Sequence, residues 1–294
     1  MNSDLVKDEF KQNIIALVYD FDGTLSPEAM QHYGVLPTLE IEPTDFWAGV
    51  KQQRQAESAE ELLVYMKRMI DRADAKSKRL DRASFQEHGS GIRFFPGVRD
   101  WFDRIDNYVT ELAREQPIKV EHYIISSGLK EMIEGCEIAD KFKEIYACEY
   151  LYDAYGHPKW PARVISDTSK TQYLFRINKG VLNVNESINS HMPMSDRRIP
   201  FDNMIYFGDG DTDVPSMAVT MANGGHAIAV YPQNEDSAKC ELLRRAKRID
   251  YFCPANYEEG SDLDTLVKST LRVIVSRIRL RQEIFNLPPV GKME

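Results

Sequence analysis

Short apolar blocks alternate with amphipathic stretches along this chain, and the alternation organises everything else. The run IIALVYDFDGTL (Ile14–Leu25) rises through five or six apolar residues to Asp20, places Asp22 two positions later, and breaks at Gly23 and Thr24. So short a block, rich in Ile, Val, Leu and Tyr and closed by a glycine turn, predicts a buried strand. Comparable strand blocks are Tyr123–Ile125, Met204–Phe207, His226–Tyr231 and the shorter Ile249–Cys253. IYACEYLYD followed by AYGHPKWPARVI predicts a strand and a hairpin turning near Gly156. Between them the apolar spacing turns helical. Val98, Trp101, Phe102 and Ile105 follow Pro96, and a helix is expected over Lys130–Cys136. Leu174, Phe175 and Ile177 face inward on a helix capped by Ser166, Asp167 or Thr168. A charged helix spans Glu235–Lys247, and Leu263, Leu266, Val267, Leu271, Ile274 and Ile278 trace one face of a long final helix whose arginines are expected to be solvated. Strands alternating with helices predict an α/β fold with a doubly wound, mainly parallel sheet.

One segment breaks the alternation. From Glu28 to Gly91 there is no strand-like block, and Leu62, Leu63, Met66, Met69 and Ile70 recur at helical spacing. About sixty residues is far beyond an ordinary loop. The chain therefore divides into a core domain (1–27 and 94–294) and a helical cap insertion (28–93). Arg54, Lys67, Arg68, Arg72, Lys76, Lys78 and Arg79 make the insertion locally basic, which a solvated helix face explains best. Residues 1–12 read as a polar lead-in helix or tail, and Val181–Pro200 as a surface loop.

At 294 residues the chain can bury a full core. No apolar stretch approaches the ~20 residues of a membrane span, and the polar N-terminus lacks the apolar centre of a signal peptide, so a cytoplasmic location is expected. The net charge of −9 disfavours broad capture of nucleic acid and requires any anionic substrate to meet locally placed positive charge. Cys136, Cys148, Cys240 and Cys253 are far apart and read as small apolar residues.

The candidate chemistry gathers at strand ends, where open α/β sheets bind ligands. Asp20 and Asp22 project together from the first strand, since side chains two apart share a side. Their mutual repulsion is relieved most simply by Mg²⁺, a hard cation that prefers oxygen donors; a solvated Asp-Gly turn is the alternative. In HYIISSGL, Ser126, Ser127 and Gly128 end the second strand, suited either to a phosphate oxygen or to helix capping. Lys170 falls in the first turn of its helix, against the helix dipole, which implies another partner for its charge. Lys179, in the last turn, is where the dipole favours a lysine. GDGDTD (Gly208–Asp213) places three aspartates after a buried strand; it fails as an EF-hand loop because position six from Asp209 is Val214.

Taken in order, DFDGT, IISSG, the lysine of SKTQYLFRI, and GDGDTD resemble the four motifs of the haloacid dehalogenase-like hydrolases, in particular their phosphatases. The resemblance covers residues 12–27 and 94–232, and the insertion lies where that family carries its C1 cap. It implies a Rossmann-like core and a Mg²⁺-dependent phosphatase acting on a small phosphorylated metabolite. Asp20 would be the nucleophile and Asp22 the general acid and base; Ser126 and Lys170 would bind the transferring group. Mg²⁺ would sit between Asp20, Asp209 and the main-chain carbonyl of Asp22. Thr24, Ser127 and Gly128 would contact substrate, with Gly210 and Asp213 supporting. Ser127 remains an alternative to Ser126. The presence of Asp22 argues against the dehalogenase branch, which has no leaving alkoxide to protonate.

Phosphoryl transfer to another acceptor, as in a phosphotransferase or mutase, uses the same aspartyl-phosphate and stays open, as does a catalytically silent binding or regulatory role. Arg54, Tyr65, Arg68, Arg72 and Trp47 are cap candidates for substrate contact by composition only, and Trp47 is better explained by core packing.

Overall fold

A computed structural model describes residues 10–114 and 116–287; the lead-in expected over residues 1–12 lies almost wholly outside the described residues. The chain runs β1 (Ile14–Tyr19), α1 (Val35–Thr38), α2 (Pro43–Glu57), α3 (Glu61–Ala75), α4 (Arg82–Gly89), α5 (Val98–Ala113), β2 (Lys119–Leu129) and α6 (Lys130–Glu134). It continues through β3 (Phe142–Tyr152), β4 (Pro158–Arg163), α7 (Lys170–Lys179), β5 (Met204–Gly208) and α8 (Val214–Ala222). The last elements are β6 (His226–Tyr231), α9 (Ala238–Arg245), β7 (Tyr251–Pro254) and α10 (Asp262–Asn286).

The strands form one sheet in the order β4-β3-β2-β1-β5-β6-β7. Every pairing is parallel except β3 with β4, which closes the expected hairpin around Gly156. The first strand in sequence is thus the middle strand in space. Its neighbours β2 and β5 lead away in opposite directions, so the chain reverses its winding at the carboxyl end of β1, where such sheets form a crevice. Parallel sheets covered by helices on both faces read as continuous apolar runs, and Ile15 to Tyr19 are completely buried. Beneath the crevice, the Trp101 indole donates to the Tyr19 hydroxyl (2.9 Å), which pairs with His122 Nδ1 (3.0 Å). His122 Nε2 meets Asp106 (3.0 Å), so each of these buried polar atoms has a partner.

Residues 30–89 contain helices only, as their spacing predicts. α3 is fastened to the sheet by two buried tyrosines: Tyr65 donates to the Ser127 carbonyl (2.9 Å), and Tyr150 donates to the Met66 carbonyl (2.7 Å). All four cysteines are buried as free thiols. Among the described residues no helix is long and apolar enough to cross a membrane.

Several local readings change. β2 continues through Ser126 and Gly128 to Leu129, with its register against β3 interrupted between Ile125 and Leu129. α6 stops at Glu134, before Gly135, and α9 is limited to Ala238–Arg245. The N-cap of α7 is Ser169; Ser166 instead gives its N–H to Ser169 Oγ (2.7 Å) in the preceding turn. The α10 arginines are not simply solvated. Arg272 Nε donates to the Tyr108 hydroxyl (2.7 Å) and Arg277 to the Asp202 carbonyl (2.9 Å), tying the helix to the core.

Candidate active site

Asp20 follows β1 directly, its N–H still bonded to the Phe207 carbonyl of β5 (2.9 Å). This pairing carries it between the ends of both strands. Gly23 then turns the chain at φ +75°, and a Cβ there would lie 2.4 Å from Asp209 Oδ2. Only glycine combines that backbone with so close an approach. The turn of the first segment and the acidic loop of the second are therefore packed directly together.

The ammonium of Lys170 explains its place against the helix dipole. It is fully buried, 2.8 Å from Asp213 Oδ1 and 3.1 Å from Asp20 Oδ2. Asp213 is held in turn: Oδ1 also accepts from the Tyr206 hydroxyl (2.7 Å), and Oδ2 accepts from the Asp209 N–H (3.2 Å). One carboxylate thereby fixes both the lysine and the acidic loop. Carboxylate oxygens of Asp20, Asp209 and Asp213 all lie within 4.8 Å of one another.

Electrostatics follow from burial. Loss of water raises the Asp20 carboxyl well above its ordinary range, and Asp213 raises it further, while Lys170 opposes both. Burial and then Asp213 raise Asp209 to about 6. Burial raises Asp22 to about 7, despite the Met30 N–H donated to its Oδ1 (2.9 Å). Burial alone would weaken the charge on Lys170, but Asp20 and Asp213 outweigh it and hold the ammonium above its usual value. Four carboxylates here face a single buried ammonium.

Asp20, Asp22, Ser126, Ser127, Gly128 and Asp209 line one cavity of about 350 Å³. The interrupted register of β2 turns the two serines toward it differently. Ser126 Oγ accepts from the Gly128 N–H (3.0 Å), which leaves its own proton to donate. Ser127 Oγ already donates to the Ile165 carbonyl (2.8 Å). Thr24 is fully buried and does not line the cavity; its hydroxyl has no partner and its carbonyl accepts from Tyr257 (2.9 Å). Neither Gly210 nor Asp213 lines the cavity.

The chain is 30% identical over 278 residues to an uncharacterized protein of Borreliella burgdorferi, covering 86% of this chain and 95% of that protein, and the two belong to one family. No family model matches. In structure the chain is similar to a HAD family hydrolase from Salmonella enterica serovar Typhi (TM-score 0.57, 16% identity, 88% of this chain and 72% of that one). It is also similar to a substrate-bound phosphoserine phosphatase (TM-score 0.54, 15% identity, 89% and 99%). A third likeness is to a probable phosphoserine phosphatase from Vibrio cholerae (TM-score 0.56, 12% identity, 94% and 68%). The chain has the haloacid dehalogenase-like fold.

Within this haloacid dehalogenase-like fold, the donors at the strand ends suit a hard cation. They are all oxygens, drawn from separate segments, crowded, and under-compensated by Lys170. The carboxylate of Asp22 is not part of the three-residue cluster, and its Oδ1 is taken by Met30. Sequence reasoning missed the rim of the cavity: Glu60, Glu61, Leu62, Asp167 and Thr212 also line it. It missed Tyr206 as well, whose hydroxyl meets Asp213 while its ring reads as one more apolar strand residue. No spacing signal marks a tyrosine that serves both purposes.

Proposed function

We propose that this protein is a Mg²⁺-dependent phosphomonoester hydrolase that works through an aspartyl-phosphate on Asp20, with residues 28–93 acting as its cap. The observation that carries this reading is the buried Lys170 bridging Asp20 and Asp213, beside a cavity lined by Asp22, Asp209 and Ser126. Asp20 attacks phosphorus in line, and the bond from phosphorus to the leaving oxygen breaks. Asp22 gives that oxygen its proton. A carboxyl raised to about 7 is suited to this role near neutral pH, holding a proton for the first step and able to take one from water in the second. Water then attacks phosphorus, and cleavage of the acyl-phosphate bond releases phosphate and regenerates Asp20.

Lys170 holds the Asp20 carboxylate in one orientation and offsets charge on the transferring group. Ser126, with its proton free, is the better donor to a phosphoryl oxygen than Ser127. Mg²⁺ held by Asp20, Asp209 and the main-chain carbonyl of Asp22 would supply charge neutralisation at the phosphoryl oxygens. The substrate is a small phosphorylated metabolite, in keeping with the cavity's volume.

The test is turnover of p-nitrophenyl phosphate with Mg²⁺. Asp20→Asn is expected to abolish it, and acid quenching of the native enzyme to trap phosphate on the protein. Full activity in Asp20→Asn would end the proposal.

A further inference from the structure

The active-site cavity shares a wall with a second, larger cleft of about 860 Å³, and the residues common to both linings are Arg54 and Glu61. The outer cleft is built along one face of α2, with Trp47, Lys51, Arg54 and Gln55 at helical spacing and Ser58 at the cap that ends the helix. The adjoining face of the same helix buries Phe46 and Val50 in the core. Two features distinguish this stripe from an ordinary solvated face.

The first is Trp47. It is half-buried, and its indole N–H donates to His32 Nε2 (2.8 Å), while His32 Nδ1 pairs with Glu28 (3.1 Å). The neutral tautomer that donates from Nδ1 and accepts at Nε2 satisfies both bonds, and so fixes the ring's orientation. An indole with its only donor already used presents nothing but aromatic surface to the cleft. The second is the partition itself. Arg54 and Glu61 form an ion pair of 2.7 Å with side chains 55% and 47% exposed. Such exposed pairs are weak, so the wall between the cavities opens at little cost. Beyond it lie a fixed aromatic plane, the amide of Gln55, the hydroxyl of Ser58 and the cation of Lys51.

We infer that the two cavities are one substrate groove, and that the preferred phosphomonoester carries a planar, hydrogen-bonding ring on its leaving group that stacks on Trp47. This rests on the phosphatase reading for the phosphoryl end alone. A nucleoside 5′-monophosphate meets the description: phosphate at Asp20, sugar beside the Arg54–Glu61 pair, base against Trp47 with its edge toward Gln55. Stacking on an aromatic side chain tolerates any base, so the groove selects for a ring rather than for one nucleobase.

Binding to the Asp20→Asn protein with Mg²⁺, measured by calorimetry, separates this from turnover. AMP is expected to bind at least about tenfold more tightly than glycerol 1-phosphate. Trp47→Ala and Arg54→Ala are each expected to reduce that preference severalfold, with Trp47→Phe retaining most of it. Adenosine, which has no phosphate, is expected to bind with the same dependence on Trp47. Equal binding of AMP and glycerol 1-phosphate, or a preference unchanged in both alanine variants, overturns the inference. Ring selectivity that persists while the native enzyme hydrolyses neither ester supports the groove and counts against the phosphatase reading only.

Discussion

Replacing Lys170 with methionine keeps most of the side chain's volume and removes its charge. In the native protein the ammonium is fully buried between Asp20 and Asp213, at 3.1 and 2.8 Å, and both carboxylates are themselves almost inaccessible. Removing one partner of a buried ion pair leaves the other charge without water or a counterion, which costs about 3–5 kcal/mol. An exposed pair would cost less than about 1 kcal/mol, so the two cases are easily distinguished. In urea unfolding, at a slope of about 3 kcal/mol/M, Lys170→Met should lower the midpoint by about 1 M or more. The sign of the pH dependence follows from Asp20, whose carboxyl is raised in the folded protein. A raised carboxyl favours the protonated folded state, so the deficit is largest at neutral pH and shrinks as the pH falls and Asp20 takes up its proton. Adding Asp213→Asn to Lys170→Met should recover part of the loss, because it removes one uncompensated charge. A loss below about 1 kcal/mol at pH 7, or one that does not shrink in acid, would refute the assignment of Lys170 as the buried counterion.

Four further outcomes follow from the same geometry. Asp22→Asn should slow hydrolysis of alkyl phosphates by about 10²–10⁴-fold, while harming p-nitrophenyl phosphate much less, since its leaving group needs no proton. In the native enzyme, kcat/KM for alkyl phosphates should fall as the pH rises past about 7, where Asp22 loses the proton it donates; a flat profile together with uniform loss in Asp22→Asn would count against its acid role. Gly23→Ala should destabilise by about 1–3 kcal/mol in thermal or urea unfolding and weaken Mg²⁺ binding, because the added carbon meets Asp209 at a positive φ. Tyr19→Phe leaves the Trp101 indole N–H and His122 Nδ1 unpaired in the core and should cost about 1–3 kcal/mol without altering the substrate preference.

The strand ends were legible because the chemistry there is short-range. Asp20 and Asp22 follow an apolar run that reads as a strand, and three aspartates crowded after Phe207 call for a compensating charge that their own neighbours in the sequence do not supply. Lys170 was legible for a different cause, since its charge opposes its own helix and so demands a distant partner. Where reading failed, the deciding interaction was long-range. The extension of β2 through Ser126 depends on β3 beside it and on Tyr65 of α3 reaching the Ser127 carbonyl. The preference for Ser126 over Ser127 rests on its place directly after the apolar run; the bond from Ser127 Oγ to the Ile165 carbonyl is a separate fact that no local pattern announces. The arginines of α10 look solvated in any window of the sequence, and only the packing of α10 against the core supplies Tyr108 and Asp202 as partners.

The position of β1 has a consequence for how the protein comes into being. Its most apolar strand leaves the ribosome first, yet one flank waits for residues near 120 and the other for residues near 204. Until then β1 has two open edges, the condition in which nascent chains associate wrongly or need a chaperone. A product truncated before β5 would keep one edge bare and would lack the acidic loop entirely. Such a fragment would be adhesive, and the acidic cluster of Asp20, Asp209 and Asp213 forms only once β5 and the loop after it have been made.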